Sequence, residues 1–148
     1  MAKFTFRLQN IFNLKVRLEQ QQKNAFAAAR KRLDEEEEKL NNLYSRLEGY
    51  EEKGRLMRNE TLHIRDIIEN ENAIDKIKDY IEDQKAQVRL AEMRLEEERV
   101  KLVEAMRERK TYEKLRENAF AEWQESEKHE ENVINDEHNS YVYKVKEA

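Results

Sequence analysis

The side chains of this sequence that have the right chemistry for acid–base or metal work are its three histidines and its many carboxylates. His129 and His138 are nine residues apart, which on an ideal helix places them about 180° from each other, so they cannot bind one metal ion together. We interpret both, and His63, as surface residues. Paired glutamates catalyse proton transfer only in a concave, water-poor cavity. The composition indicates a fold of only two long helices, which cannot easily enclose such a cavity. We therefore predict no catalytic residue, no metal site and no cofactor.

Phosphate and nucleic-acid binding are excluded on similar grounds. A phosphate-binding loop needs clustered glycines, and the chain has only two glycines and no GxxxxGK[ST] motif. The basic clusters Arg30-Lys31-Arg32 and Arg107-Glu108-Arg109-Lys110 are short and have acidic neighbours, and the formal net charge is −4. No apolar run reaches the roughly 18 residues of a membrane span, and the N-terminus lacks the apolar core of a secretory signal. With no cysteine present, we expect a cytoplasmic protein.

Composition instead indicates long helices. Ala, Glu, Leu, Lys and Arg make up more than half of the 148 residues, a share typical of coiled coils. Proline is absent, and with so few glycines the chain has residues for very few tight turns. Disordered chains combine low hydrophobicity with high net charge, whereas here the charges nearly balance. We therefore predict periodic helices.

Two segments carry apolar residues at heptad spacing. In the first, from about residue 4 to 53, position a holds Phe26, Leu33, Leu40 and Leu47 and position d holds Ala29, Leu43 and Tyr50. An earlier group, Leu8, Ile11, Leu14 and Leu18, fits after a stutter at residues 20–24. The second segment begins near Leu62 and repeats through Ile74, Ile81, Val88, Leu95 and Leu102, with Ile77, Ala91, Ala105, Tyr112 and Ala119 at the other seam position. Gln84 and Glu98 interrupt this seam, and such polar residues can fix register.

The position of the chain reversal has two solutions. Gly49 and Gly54 weaken the helix near residue 58 by roughly 1 kcal/mol each, and Asn70-Glu71-Asn72 offers a rival turn near residue 72. Both place position a opposite position d, so periodicity does not choose between them. We favour the earlier turn because both glycines lie beside it. The prediction is one all-α domain over residues 1–148: an antiparallel coiled-coil hairpin with a first helix of about 4–53, a turn of about 54–60 and a longer second helix of about 61–145.

The earlier turn leaves about 30 residues of the second helix without a partner. This end still carries large apolar side chains: Leu115, Phe120, Trp123, Val133, Ile134, Tyr141, Val142 and Tyr143. Unpaired apolar side chains on a long helix mark a binding surface. The alternative is that they pack on the first helix or on a second copy.

Two stretches together resemble a known family. The first is Phe4-Thr-Phe-Arg-Leu-Gln-Asn-Ile-Phe followed by Leu14-Lys-Val-Arg-Leu-Glu19. The second is Glu104-Ala-Met-Arg-Glu-Arg-Lys-Thr-Tyr-Glu-Lys-Leu-Arg116 followed by Glu127, Glu130 and Asp136-Glu137. Their order and spacing over essentially the whole chain resemble FliJ, the small soluble component of the bacterial flagellar type III export apparatus.

That resemblance implies a non-enzymatic antiparallel hairpin similar to the central stalk of rotary ATPases. FliJ proteins insert the end with both termini into the hexameric export ATPase FliI, promote its ring assembly and activity, link it to the export gate protein FlhA and escort substrate chaperones. They act in the cytoplasm, at the inner face of the cell membrane. The implied ATPase-binding residues are Phe4, Phe6, Leu8, Ile11, Tyr112, Leu115 and Trp123.

The implied gate-binding residues are Ala73, Ile77, Tyr80 and Gln84. They have helical spacing, although the heptad also places Ile77 in the seam between the helices. An alternative function is a structural coiled coil that forms parallel dimers or filaments. Sedimentation separates the two, because the hairpin is expected to be a monomer of 18.0 kDa.

Overall fold

A computed structural model describes residues 2–60 and 63–147, and nearly all of them lie in two helices. Helix α1 spans Gln9–Arg58 and helix α2 spans Ile64–Glu147. The described residues contain no strand. The helices pack against each other, which confirms the predicted all-α hairpin with a longer second helix. The apolar seams are closed within one chain, which is not the arrangement of the parallel-dimer alternative.

The helix bounds differ from the predicted ones at both ends of α1. The helix begins at Gln9, whose backbone N–H donates to the carbonyl of Phe6 at 3.1 Å, so residues 2–8 form a non-helical arm. It then continues through both glycines to Arg58, and no glycine has a positive φ. The rival turn at 70–72 is helical and lies inside α2. Leu62, the predicted start of the second segment, lies outside the described residues.

Gly54 has a packing role that explains why the helix does not end there. A Cβ atom built on Gly54 would lie 2.6 Å from the side-chain oxygen of Asn70 on α2, whereas one on Gly49 would meet nothing within 4 Å. The Asn70 amide donates to the carbonyl of Tyr50 at 3.1 Å, and Asn70 is buried. The missing side chain of Gly54 therefore makes room for a buried polar residue, and the cost of a helical glycine is only about 1 kcal/mol.

The chain divides into two compact units, each built from a part of both helices. The terminal unit comprises Met1–Gln20 and Glu104–Ala148, and the turn unit comprises Gln21–Val103. In the turn unit, buried apolar side chains occupy the predicted seam positions: Ala29, Leu33, Ile77, Ile81, Val88 and Ala91. Leu40 and Leu95 pack against this core. Burial along one stripe of each helix is the hydrophobic contribution that holds the unit together.

Two buried glutamates interrupt the apolar seam of the turn unit. Glu36 is 2% exposed and Glu98 is 3% exposed. The side-chain amide of Gln84 donates to the Glu36 carboxylate and, at 2.9 Å, to its backbone carbonyl. Gln22 makes the same pair of hydrogen bonds to the carboxylate and backbone carbonyl of Glu98. Each buried charge is thus paired across the two helices, as burial requires.

Each of the two glutamates lies at the centre of a polar layer, and the two layers are copies of one arrangement. Arg32 and Lys39 form ion pairs with Glu36, four residues before it and three after it, and Arg94 and Lys101 do the same for Glu98. Every member of the first set, Gln22, Arg32, Glu36 and Lys39, has its counterpart 62 residues later, at Gln84, Arg94, Glu98 and Lys101. The first set lies on α1 and the second on α2. Because the two helices are antiparallel, a local twofold axis relates the two layers.

Candidate partner-binding surfaces

The N-terminal arm ends in an aromatic cluster on α2, within the terminal unit. The Phe4 ring lies 5.1 Å from the Phe120 ring, edge to face, and 5.7 Å from the ring of Trp123. Phe120 and Trp123 stack at 5.7 Å. Such aromatic pairs are each worth about 0.5–1.5 kcal/mol beyond the area they bury. These contacts explain why residues 4–8 are not helical. The Phe4 ring makes them in place of the additional helical turn that residues 4–8 could have formed.

A polar contact fixes the start of α1 beside this cluster. The Arg116 guanidinium lies 5.4 Å from the Phe4 ring centroid, and its Nε donates to the side-chain oxygen of Gln9 at 2.9 Å. One arginine therefore holds both the arm and the first residue of α1. Cation–π contacts of this kind contribute about 0.5–1 kcal/mol at exposed sites.

Two ion pairs close the seam of the terminal unit further along. Lys15 Nζ lies 2.9 Å from a carboxylate oxygen of Glu108, and this hydrogen bond raises the pKa of Lys15 above its usual value. Arg109 Nε lies 2.6 Å from a carboxylate oxygen of Glu19, which is buried. The contacts hold α1 and α2 in register near the chain ends, where the apolar seam alone is sparse.

All seven residues that the resemblance implies for ATPase binding lie in the terminal unit. The arm and α2 form a groove that includes five of them: Phe4, Phe6, Leu8, Leu115 and Trp123. Ile11 is exposed on α1, and Tyr112 lies beside Lys15, whose Nζ is 6.0 Å from the ring centroid. The structure thus brings Phe4 and Trp123 into contact and leaves Ile11 and Leu115 open to a partner.

The end of α2 carries the most exposed apolar side chains of this unit. Every residue from 128 to 146 is exposed. Ile134 is 63% exposed and Tyr141 is 68% exposed, and the others in this group are Val133, Val142, Tyr143 and Val145. Large exposed apolar side chains gathered on one stretch of helix mark interaction sites in soluble proteins.

The four residues implied for gate binding do not form one open surface. Ile77 is buried at 3% exposure in the turn-unit core, and Gln84 is engaged with Glu36. Ala73 is half-buried, and Tyr80 is 52% exposed. Ile77 is available to a partner only if the helices separate, because its seam position points it at α1.

Tyr80 lies instead in a groove that both helices form, and sequence reasoning missed the α1 side of it. With Gln84, Tyr80 lines the groove from α2, and α1 contributes Asn42, Leu43 and Arg46. The antiparallel register that follows from the earlier turn contained the signal, because it places Leu40 opposite Ile77 and Leu43 opposite Ile74, close to Tyr80. Tyr80 with this α1 face is the accessible part of the implied gate surface.

Neither a metal centre nor a membrane helix is found among residues 2–60 and 63–147. No group of three His, Asp or Glu side chains there is arranged to hold a metal ion. No helix in this part of the chain is both long enough and apolar enough to cross a membrane.

Comparison with known proteins agrees with the resemblance seen in the sequence. The family model described as "Flagellar FliJ protein" matches residues 4–148. Comparison with curated proteins and with solved structures gave no match. Because the family match spans nearly the whole chain, this chain belongs to the flagellar FliJ family, whose members are non-catalytic components of the flagellar export apparatus.

Proposed function

We propose that this chain is a stalk-like regulator of the flagellar export ATPase. In this proposal the terminal unit binds the ATPase ring and promotes its assembly and hydrolysis, a surface of the turn unit links it to the export gate, and substrate chaperones are escorted by the same chain. It acts in the cytoplasm, at the inner face of the cell membrane, through its contacts with the export apparatus.

The observation that carries the ATPase proposal is the exposed apolar end of α2. Ile134 and Tyr141 are both more than 60% exposed, and a helix gains little from apolar side chains that face only water. A partner that buries them supplies the missing free energy. Residues 128–147 form a helix of about 30 Å at 1.5 Å per residue, long enough to reach into a ring.

Such a stalk needs no chemistry of its own. A ligand shifts a conformational equilibrium only by its difference in affinity for the two states. One asymmetric helix inside a ring contacts the subunits unequally, so it favours particular conformations of particular nucleotide sites. Stimulation of hydrolysis follows from that bias without a residue of this chain touching the nucleotide.

The direct test measures hydrolysis and ring assembly by the cognate export ATPase with and without the full chain. We expect stimulation by the wild type and its loss in the variant Ile134→Asp with Tyr141→Asp. The matched control is Leu90→Asp with Met93→Asp, which places the same two charges on apolar residues of the turn unit that are also exposed. Unchanged hydrolysis and assembly with the wild type would count against the stalk role.

The gate proposal rests on Tyr80 and its neighbours on α1. Tyr80→Ala removes a half-exposed ring, so we expect weaker binding of the export gate protein with unchanged thermal stability. Ile77→Ala removes a buried side chain, so we expect a loss of about 2–5 kcal/mol in stability. If Tyr80→Ala binds the gate protein as the wild type does, this groove is not the gate surface.

A further inference from the structure

One face of α2 continues past the aromatic cluster and carries both apolar and acidic residues. From Trp123 onward, steps of three or four residues lead to Glu127, Glu130, Ile134, Glu137 and Tyr141. Steps of three and four keep side chains on one side of a helix. The face is continuous with the one that carries Phe120 and Trp123, where the arm is docked. It is therefore the extension of an interface that this chain already forms.

Elsewhere in the chain, glutamates at the contact between the helices are matched by donors. Glu19 is paired with Arg109 in the terminal unit. In the turn unit, Glu36 and Glu98 each accept from a glutamine of the other helix and are flanked by an arginine and a lysine. A buried carboxylate needs such partners, since an unpaired buried charge costs several kcal/mol.

The three glutamates on this face of α2, Glu127, Glu130 and Glu137, make no ion pair within the part of the chain that the structure describes. Glu127 is half-buried beside the arm, and Glu130 and Glu137 are exposed. A partner that covers Trp123, Ile134 and Tyr141 must also cover the three carboxylates that lie between Trp123 and Tyr141. The occupant must then supply the cations or amide donors that the hairpin supplies to its own seam glutamates.

We propose that residues 123–141 of α2 dock a basic amphipathic helix of another protein, with arginine or lysine opposite Glu127, Glu130 and Glu137 and apolar residues between them. Arginine fits best, because its planar fork pairs with carboxylates and stacks on aromatic rings, as Arg116 does on Phe4. This inference rests on the proposed function and assigns that helix to the export ATPase.

A parallel second copy of this chain is the wrong occupant on charge grounds. A parallel copy would place Glu130 opposite Glu130 and Glu137 opposite Glu137, and like charges opposite each other are destabilising. Phosphate-rich nucleic acid and anionic membranes are repelled by the same carboxylates. A basic protein helix is the partner that matches both the apolar and the acidic positions.

The test uses the full chain in which Glu127, Glu130 and Glu137 are all changed to Lys. The matched control changes Glu117, Glu125 and Asp136 to Lys, which alters the net charge equally but on the side of the helix that points away from this face. Binding to the cognate export ATPase is measured by calorimetry over a salt series, with helix content checked by circular dichroism. We expect the variant with three lysines at 127, 130 and 137, called the seam variant because it changes the proposed seam with the partner, to lose at least tenfold in affinity. We expect the control to lose less than threefold, and the wild-type affinity to fall with added salt.

The outcomes separate this inference from the proposed function. If Ile134→Asp with Tyr141→Asp abolishes binding while the seam variant binds like the control, the partner is not basic and the ATPase role stands. If the wild type does not bind the ATPase at all, the proposed function fails and this inference falls with it. Salt-resistant self-association of the wild type through this face would also overturn the inference, because a second copy would then be the occupant.

Discussion

The side-chain oxygen of Asn70 would lie only 2.6 Å from a Cβ atom built on Gly54, and the Asn70 amide donates to the carbonyl of Tyr50 at 3.1 Å. The absent side chain on one helix is therefore what admits a buried polar group of the other. Gly49, in the same helix, would meet nothing within 4 Å. Two glycines that look equivalent in the sequence thus have different physical roles.

Alanine substitutions separate those roles. Gly49→Ala removes the entropic cost of a helical glycine, so we expect the free energy of unfolding to rise by about 0.5–1 kcal/mol. Gly54→Ala brings the same entropic gain but displaces Asn70 and breaks its bond to Tyr50, so we expect a net loss of about 1 kcal/mol. Urea unfolding of both variants measures the difference. Equal stabilisation by the two changes would show that Asn70 does not need the space.

The repeated polar layers predict equal effects at two distant positions. Gln22→Ala and Gln84→Ala each remove the interhelical donor to a buried glutamate, Glu98 or Glu36. We expect each to lower the Tm by roughly 5 °C, and the double variant by about the sum, because the layers share no partner. The control is Gln87→Ala, which changes an exposed glutamine of α2, the helix that carries Gln84. A large effect at one position and none at the other would contradict the equivalence of the layers.

The same layers predict a loss of stability in acid. Hydrogen bonds from Gln84 and Gln22 hold the pKa of Glu36 and Glu98, respectively, below the usual glutamate value of 4.5. A pKa that is lower in the folded state gives stability that is complete above the unfolded value and is lost as the pH falls through the folded one. We therefore expect the Tm to decrease below about pH 4.5.

The control for acid sensitivity is the variant with Glu36→Gln and Glu98→Gln, which cannot be protonated at these positions. Its Tm is expected to change less between pH 6 and pH 3 than that of the wild type, as followed by circular dichroism. Identical pH profiles for the two proteins would assign the acid sensitivity to other carboxylates.

The docked arm predicts a fluorescence change at the one tryptophan of the chain. Phe4→Ala removes the ring that contacts Trp123, so we expect a red-shifted emission as the indole gains water, with the helix content preserved. Phe26→Ala, in the turn unit, serves as the control and should leave the emission unchanged. An unshifted emission in Phe4→Ala would mean that the arm does not cover Trp123 in solution.

The sequence alone determined the helices, the seam and the family. Heptad spacing from Phe26 to Leu47 and from Ile74 to Leu102 was enough to predict two paired helices, because burial of one stripe depends only on periodicity. The two terminal stretches, beginning at Phe4 and at Glu104, were enough for the family resemblance that the match to residues 4–148 confirms.

Tertiary structure decided what periodicity leaves open. Registers that differ by whole heptads keep the same phase, so the heptad could place Ile77 in the seam, but only the contacts between the helices could pair Gln84 with Glu36. The arm departs from the helix because Phe4 gains more from Phe120 and Trp123 than from another helical turn. Gly54 stays helical because the space it leaves is filled by a residue 16 positions away, which no local pattern in the chain encodes.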